Sequence, residues 1–308
     1  MRLFIFIGFV WLTIFLLSCN KRITSTEDGR IPDSLRIDVP EFGAEETLDI
    51  VSWNIQNFPK LGTETISDVV EIIIDLNADI FGMQEIEDTI SFREVLNRLP
   101  DYSGIYSLDI YSDGSYQKTG VIYKQNIISI SDVKLIFTGD SYRFPRPPLQ
   151  IYMSASSNLK TFDFTLIVLH LKALGGEQNE DRRRKACEKL KYYLDTEIVG
   201  SSDKDYIVVG DWNDELDDPP EDNVFQVFIN DSQDYTFLSS ILLENPFENA
   251  TYIGNTRSII DHILISADAR QEYGNGTTAV IKLDQYFSSY VYEVSDHRPV
   301  GARFQVFD

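Results

Sequence analysis

Acidic, amide and imidazole side chains recur in this sequence at one kind of position, the end of a short apolar run. Asn54 follows Val51-Ser52-Trp53, and Gln84-Glu85 follows Ile80-Phe81-Gly82-Met83. His170 closes Leu166-Ile167-Val168-Leu169, and Asp211 and Asn213 follow Ile207-Val208-Val209-Gly210. Asp261 is embedded in Ile259-Ile260-Asp261-His262-Ile263, and Ser295-Asp296-His297 precedes the last apolar run. In an open sheet, residues at strand ends converge on one crevice. Carboxylates gathered there are costly unless a cation or mutual pairing compensates them, so the pattern points to metal-assisted or acid–base chemistry. Any one Asp or Asn after a strand is more often a turn former. The joint occurrence, in one order, carries the reading.

Composition narrows the chemistry. The 308 residues include two cysteines, which excludes a disulfide-stapled scaffold and a four-cysteine zinc site, and three histidines, which leave little room for a multi-histidine metal centre. Acidic residues outnumber basic ones by 49 to 27, for a net charge of −22. Such a field repels anionic polymers at long range and excludes a general nucleic-acid coat protein. An apolar fraction of 43% is that of an ordinary globular chain.

The elements that must position these residues read as strands alternating with a few helices. Strands are predicted at 48–53, 78–83, 120–123, 149–155, 162–171, 206–210, 259–266, 279–282 and 299–307. Val69, Ile72, Ile73 and Leu76 share one helical face, as do Phe92, Val95, Leu96 and Leu99. A long helix is predicted from Arg182 to about Ile198, with Ala186, Leu190 and Leu194 on its apolar face and Cys187 buried beside them as an inert thiol. Mixed strands with outer helices predict a layered α/β or α+β sandwich, and periodicity does not choose between those topologies.

Ahead of this domain, Arg2, the uncharged apolar stretch Leu3 to Leu17 and Ser18 have the make-up of an export signal over residues 1–18. Leu16-Leu17-Ser18-Cys19 resembles the bacterial lipobox, which implies acylation of Cys19 and attachment to a membrane outside the cytoplasm. Residues 19–46 are polar and read as a tether, with one large domain over 47–308.

The segments Ser52-Trp53-Asn54-Ile55, Met83-Gln84-Glu85, His170-Leu171-Lys172, Gly210-Asp211-Trp212-Asn213, Ile260-Asp261-His262-Ile263-Leu264 and Ser295-Asp296-His297-Arg298-Pro299-Val300 together resemble the endonuclease/exonuclease/phosphatase superfamily. Deoxyribonucleases, abasic-site endonucleases and bacterial sphingomyelinases belong to it. The resemblance implies a four-layered sandwich with two central mixed β-sheets flanked by helices, and a divalent-metal phosphoesterase site at one edge. By the same resemblance Glu85 is the principal metal ligand, with Asn54 and Asp296 beside it. Oxygen ligation suits Mg²⁺, with Mn²⁺ or Ca²⁺ as substitutes. Asp261 and His297 match the hydrolytic pair, Asp211 is the competing base, and Asn213 holds a phosphate oxygen or Asp211. His170 matches the second histidine of the deoxyribonuclease and sphingomyelinase branches. His262 is expected on the opposite sheet face, outside the site.

One departure concerns Gln117, which stands where the deoxyribonuclease branch has a glutamate orienting the first histidine. Without that carboxylate, His170 has less reason to be charged. Phe144-Pro145-Arg146-Pro147-Pro148 is similar to a nuclease-branch segment whose arginine meets a backbone phosphate, which makes Arg146 a substrate contact. Arg182-Arg183-Arg184-Lys185 reads as a solvated helix face ahead of a substrate contact. Tyr286, Phe287, Tyr290 and Tyr292 are placed either to stack bases, to dip into lipid, or to pack within the fold. The expected activity is Mg²⁺-dependent hydrolysis of phosphodiesters, nucleic acid first, by a monomer. A sphingomyelinase-like or inositol-phosphate hydrolase is the alternative enzyme. A non-catalytic binding protein on the same fold is the alternative of another class.

Overall fold

The central strands of this chain bury both faces, and the alternation of side chains sorts each of them into two cores. Leu166 and Val168 of one central strand pack into one apolar cluster, while Ile167 and Leu169 between them pack into another. Leu48 and Ile50 share the first cluster, while Val51 and Trp53 face away from it into a third. Three cores stacked in this way need four layers of structure.

The computed structural model describes residues 37–110, 117–201 and 203–307. The expected export signal, Cys19 and most of the expected tether lie outside the described residues. The strands are β1 (Leu48–Phe58), β2 (Ile80–Ile86), β3 (Tyr102–Tyr106), β4 (Lys118–Lys124), β5 (Ile128–Leu135), β6 (Leu149–Ser157), β7 (Lys160–His170), β8 (Tyr206–Asp211), β9 (Tyr235–Phe237), β10 (Asp261–Ser266), β11 (Thr277–Val280) and β12 (Val300–Phe304). They form two six-stranded sheets, ordered β11-β12-β1-β2-β4-β3 and β5-β6-β7-β8-β10-β9. Helices α1 (Thr63–Leu76) and α2 (Thr89–Asn97) contribute to the outer core of the first sheet, and α3 (Glu177–Gly200) to that of the second. The result is the expected four-layered sandwich of two mixed sheets flanked by helices.

Each sheet has one parallel pair near its centre, β1 with β2 and β7 with β8, and a helix makes each crossover. All other pairings within the two sheets are antiparallel. The sheets pack closely at Gly82, where an added Cβ would lie 2.6 Å from Cγ2 of Val209. Only hydrogen fits between the sheets at that point.

Three strands absent from the sequence reading, β3, β5 and β9, belong to the outer part of their sheets, and β5 is mostly exposed. Its apolar alternation starts at Ile128 and Ile130 but breaks where the β5–β6 register shifts between Ser131 and Lys134, so no sustained strand period is left to read. The polar stretch expected as tether also ends earlier than expected. Ile37, Val39 and Phe42 are buried against the first sheet's outer core. The backbone N–H groups of Ile37 and Val39 donate to Glu71 and Asp75 of α1 at 3.1 Å each. Apolar residues spaced two or three apart in a polar context do not form a helical or strand period, which is why this packing was not legible.

Candidate active site

The carboxyl ends of both parallel pairs open on the same edge of the sandwich, and strand geometry brings most of the residues singled out by the sequence to it. Asn54 lies in β1 at the point where its register with β2 breaks, Glu85 near the end of β2, His170 at the end of β7 and Asp211 at the end of β8. Antiparallel β10 begins where β8 ends, which places Asp261 opposite Asp211. His170, Asp211 and Asp261 therefore form one row across three strands, on one face of the sheet. Asp296 and His297 enter from the loop before β12.

Local backbone departures aim the side chains. Glu85 has φ +65°, within an irregularity of the β2–β4 register, and Asn213 has φ +57°. Gln56 and Asn57, at φ +35° and +51°, break the β1–β2 register after Asn54. Left-handed backbone at four non-glycine residues is costly and persists only where surrounding contacts hold it. Those contacts are present. Asn57 N–H donates to Glu85 Oε2 at 2.9 Å, Gln56 N–H to Asn54 Oδ1 at 2.9 Å, and Asn213 N–H to Asp211 Oδ1 at 3.0 Å.

Asn54 ties the two sheets together. Its Nδ2 donates to Asp211 Oδ2 at 2.9 Å and to Glu85 Oε1 at 3.2 Å. His170 Nε2 stands 3.5 Å from Asp211 Oδ2 and 3.8 Å from Glu85 Oε1. On the other side, His297 Nε2 is 3.9 Å from the same Asp211 oxygen and 4.0 Å from Asp296 Oδ1. His297 Nδ1 donates to Asp261 Oδ2 at 2.9 Å, which fixes the ring. The two histidines thus flank one buried carboxylate.

These environments separate the charges. Burial opposes a proton on His297, but the carboxylates of Asp261, Asp211 and Asp296 outweigh it and hold the ring protonated across neutral pH. Burial, with the Asp261 charge adding to it, raises Asp211. Burial lowers His170 well below the usual histidine range, and the charges of Arg146, His297 and Lys172 act in the same direction. Its Nδ1 is buried with no hydrogen-bond partner among the described residues, as expected once Gln117 replaces an acid. Gln117 instead accepts from Arg146 Nη2 and lies 2.9 Å from the side-chain amide of Asn57.

Glu85, His170, Asp211, Asn213, Asp296 and His297 all line one cavity of about 350 Å³. Asp261 is fully buried behind His297, and Asn54 is fully buried beneath Glu85 and Asp211. Donor atoms of Glu85, His170 and Asp211 lie within 4.8 Å of one another, as do those of Asp211, Asp261 and His297. Oxygen donors in such density fit a hard divalent cation, and the buried Oδ1 of Asp261 has no hydrogen-bond partner. Arg146 sits behind His170, with Nη1 donating to the carbonyl of Leu171 at 3.3 Å.

Supporting residues were less legible in the sequence. Ser295 Oγ donates to the Asn54 carbonyl at 2.6 Å and accepts from His297 N–H at 2.9 Å. Thr251 Oγ1 accepts from the N–H groups of Ile260 and Asp261 at 3.0 and 3.1 Å. Tyr290 is buried, accepts from Trp53 Nε1 at 2.9 Å and donates to the His297 carbonyl, so its role is packing. Tyr252 lines the cavity with its ring centroid 5.2 Å from that of His297. Ser295 stood beside an obvious motif and Tyr290 was singled out with packing among its readings, whereas Thr251 and Tyr252 had no sequence signal apart from being polar or aromatic. His262 lies outside the site, as expected, bonded to Ser239 Oγ and the Asp214 carbonyl between aromatic rings. The basic run at α3 is not a uniform solvated face. Arg183 is buried on Asp214 at 2.7 Å, and Arg184 binds the carbonyls of Asp222 and Asn223. A long cationic stem reaches carbonyls and acids that sequence spacing cannot show.

Comparison with known proteins accords with this geometry. No curated protein sequence matches the chain. The structure is similar to the catalytic domain of human nocturnin with bound sulfate, at 20% identity and a TM-score of 0.59, over 85% of this chain and 95% of that one. It is similar to D. rerio TDP2 complexed with single-strand DNA product, at 15% identity and a TM-score of 0.58, over 84% and 98% of the two chains. A mannosyl-6-phosphatase of Bacteroides thetaiotaomicron is similar at 16% identity and a TM-score of 0.58, over 83% and 98%. The model of the Endonuclease/Exonuclease/phosphatase family matches residues 51–297, the span that holds every residue of the cavity described above. The chain belongs to that family and is a hydrolase of phosphate esters.

Proposed function

We propose that this protein is a Mg²⁺-dependent phosphodiesterase that acts on nucleic acid outside the cytoplasm, tethered through an acylated Cys19 and working as a monomer. The observation that carries the catalytic part is the pair of histidines on either side of Asp211, one paired with Asp261 and the other bare. Asp211 is the base that takes a proton from the attacking water. Burial and the neighbouring Asp261 give it the proton affinity for that task. The new bond joins water oxygen to phosphorus, the ester P–O bond breaks, and the leaving oxygen takes its proton from solvent. His297, already protonated, donates from Nε2 to a phosphoryl oxygen as negative charge grows there. His170 is neutral and donates a hydrogen bond to the phosphate; with no acid at Nδ1 it is a poor proton source.

Glu85 and Asp296 are the residues that would hold a divalent ion, with Asn54 beside Glu85. Asn54 turns its donors, not its oxygen, towards Glu85 and Asp211, so its amide would have to rotate to serve as a ligand. When bound, the ion neutralises charge developing on the phosphoryl group. Support for the export and tether rests on residues 1–19 alone. The test is a panel of single-stranded DNA, plasmid, RNA, sphingomyelin and a phosphomonoester, each with Mg²⁺ and with chelator. Cleavage confined to the monoester or the lipid would overturn the nucleic-acid reading, and full activity in chelator would overturn the metal.

A further inference from the structure

Several cations near the core of this acidic chain are matched by a carboxylate: Arg183 by Asp214, Lys124 by Asp79, Arg298 by Asp284. Arg146 and Lys172 beside His170 are not, nor is Arg182 next to Lys172. Arg146 spends its guanidinium on the Leu171 carbonyl and the Gln117 amide. Arg182 donates to the carbonyls of Tyr142 at 2.6 Å and Ser141 at 3.0 Å and lies over the Tyr142 ring. Lys172, two residues after His170, has no ion-pair or hydrogen-bond partner for its ammonium among the described residues. Burial, and then the charges of Arg182, Arg146 and Arg183, push that ammonium below its usual range. Like charges crowded in this way are a standing cost that an anion would relieve.

The loop that carries Lys172 is also rigidly built. The Leu171 carbonyl accepts from both Arg146 and Asn213 at 3.3 Å. Buried Arg183 donates from Nη1 to the carbonyls of Lys172 and Leu174 at 2.9 Å each, while its Nε holds Asp214. Ala173 and Leu174 of the same loop line the catalytic cavity. The lysine is therefore presented from a fixed backbone immediately beside the reaction centre.

We infer that Lys172 and Arg182, with Arg146 behind them, form a second anion subsite on the His170 flank, which takes a phosphate that the substrate carries next to the ester being cleaved. This deepens the phosphodiester reading above and rests on it. It selects substrates with neighbouring phosphates over isolated monoesters or zwitterionic lipid headgroups.

The experiment compares a thymidine dinucleotide with the same dinucleotide bearing an added terminal phosphate at either end, in Mg²⁺ at low salt. The wild type should prefer one of the phosphorylated forms by about tenfold in kcat/KM, and Lys172→Ala or Arg182→Ala should remove most of that preference. Lys172→Arg should keep it. A wild type without preference, or a preference that survives both alanine variants, overturns the subsite. In parallel, calorimetry without divalent ion follows inorganic pyrophosphate on the same proteins. Weaker binding by about fivefold or more in Lys172→Ala supports the subsite, and equal binding, or none to the wild type, overturns it. Should no dinucleotide be cleaved at all, the phosphodiester reading falls on its own, and pyrophosphate still decides the subsite.

Discussion

At the scale of single residues, His297 and Glu85 contribute differently. His297 gains its charge from Asp261 and delivers it where negative charge develops, so its removal acts on turnover. His297→Ala should lower kcat by about 10³-fold with a small change in KM, read from steady-state kinetics on whichever ester the panel identifies. A variant that retains near-wild-type kcat would remove His297 from the mechanism. Glu85 sits 14% exposed at the cavity wall, where its oxygens already accept from Asn54 and the Asn57 backbone. Glu85→Gln keeps those contacts in part and removes a charge. Its activity defect should shrink as Mg²⁺ is raised through the millimolar range, and a defect of constant size would show that Glu85 does not bind the ion. The exchange of acid for amide at Gln117 has a visible consequence too: the amide accepts from Arg146 and reaches Asn57, leaving His170 Nδ1 bare.

At the scale of elements, two contacts decide whether the sheets present the site correctly. Gly82 of β2 meets Val209 of β8 with no room for a methyl group. Gly82→Ala should cost about 1–3 kcal/mol of stability in denaturant unfolding, because neighbouring side chains must shift in a packed core. A loss within experimental error would mean that the sheets part there without strain. Arg183 of α3 pairs with Asp214, just past Asp211, and also holds the loop after His170. Arg183→Met leaves the Asp214 carboxylate buried and unpaired. It should cost about 3–5 kcal/mol in the same experiment, well beyond what a surface arginine contributes.

At the scale of the whole molecule, one buried ring makes a contribution to stability that falls on acidification, opposite in sign to that of buried carboxylates such as Asp49 and Asp211, which burial raises. His262 is fully enclosed, and its Nε2 faces the Asp214 carbonyl, which can only accept. Nε2 therefore carries the proton, and Nδ1 accepts from Ser239. Burial pushes the ring down to about 4. Unfolding releases it to the usual value near 6.5, so the unfolded chain binds a proton that the folded one refuses. The contribution is fully present above about pH 6.5 and is lost as pH falls towards 4. Between pH 7 and 5 the loss from this ring should be about 2 kcal/mol. His262→Gln keeps a donor for Asp214, so between pH 7 and 5 the wild type should lose stability relative to this variant by that amount, read from the two thermal midpoints. An identical pH dependence in the two proteins would remove His262 from the acid response. His170, also held neutral by burial, adds a loss of the same sign, whereas His297 contributes stability that is lost only as pH rises through its elevated folded value.

Which residues would meet was legible in the sequence, because each sits at the end of an apolar run whose alternation specifies a buried strand. Asn54, Glu85, His170 and Asp211 could be placed on one edge from that pattern alone, and His262 on the opposite face from the two-residue period. The order of the strands, and therefore the row His170, Asp211 and Asp261, came only with the tertiary structure, whereas the pairing of Asp261 with His297 was already implied by the family resemblance. Strand order depends on which faces pack, and period-two patterns are the same for any neighbour. The buried Arg183, the early start of the domain at Ile37 and the edge strands β3, β5 and β9 were hidden for a related reason. Each owes its place to a partner distant in sequence, and local composition carries no record of a contact made across the fold.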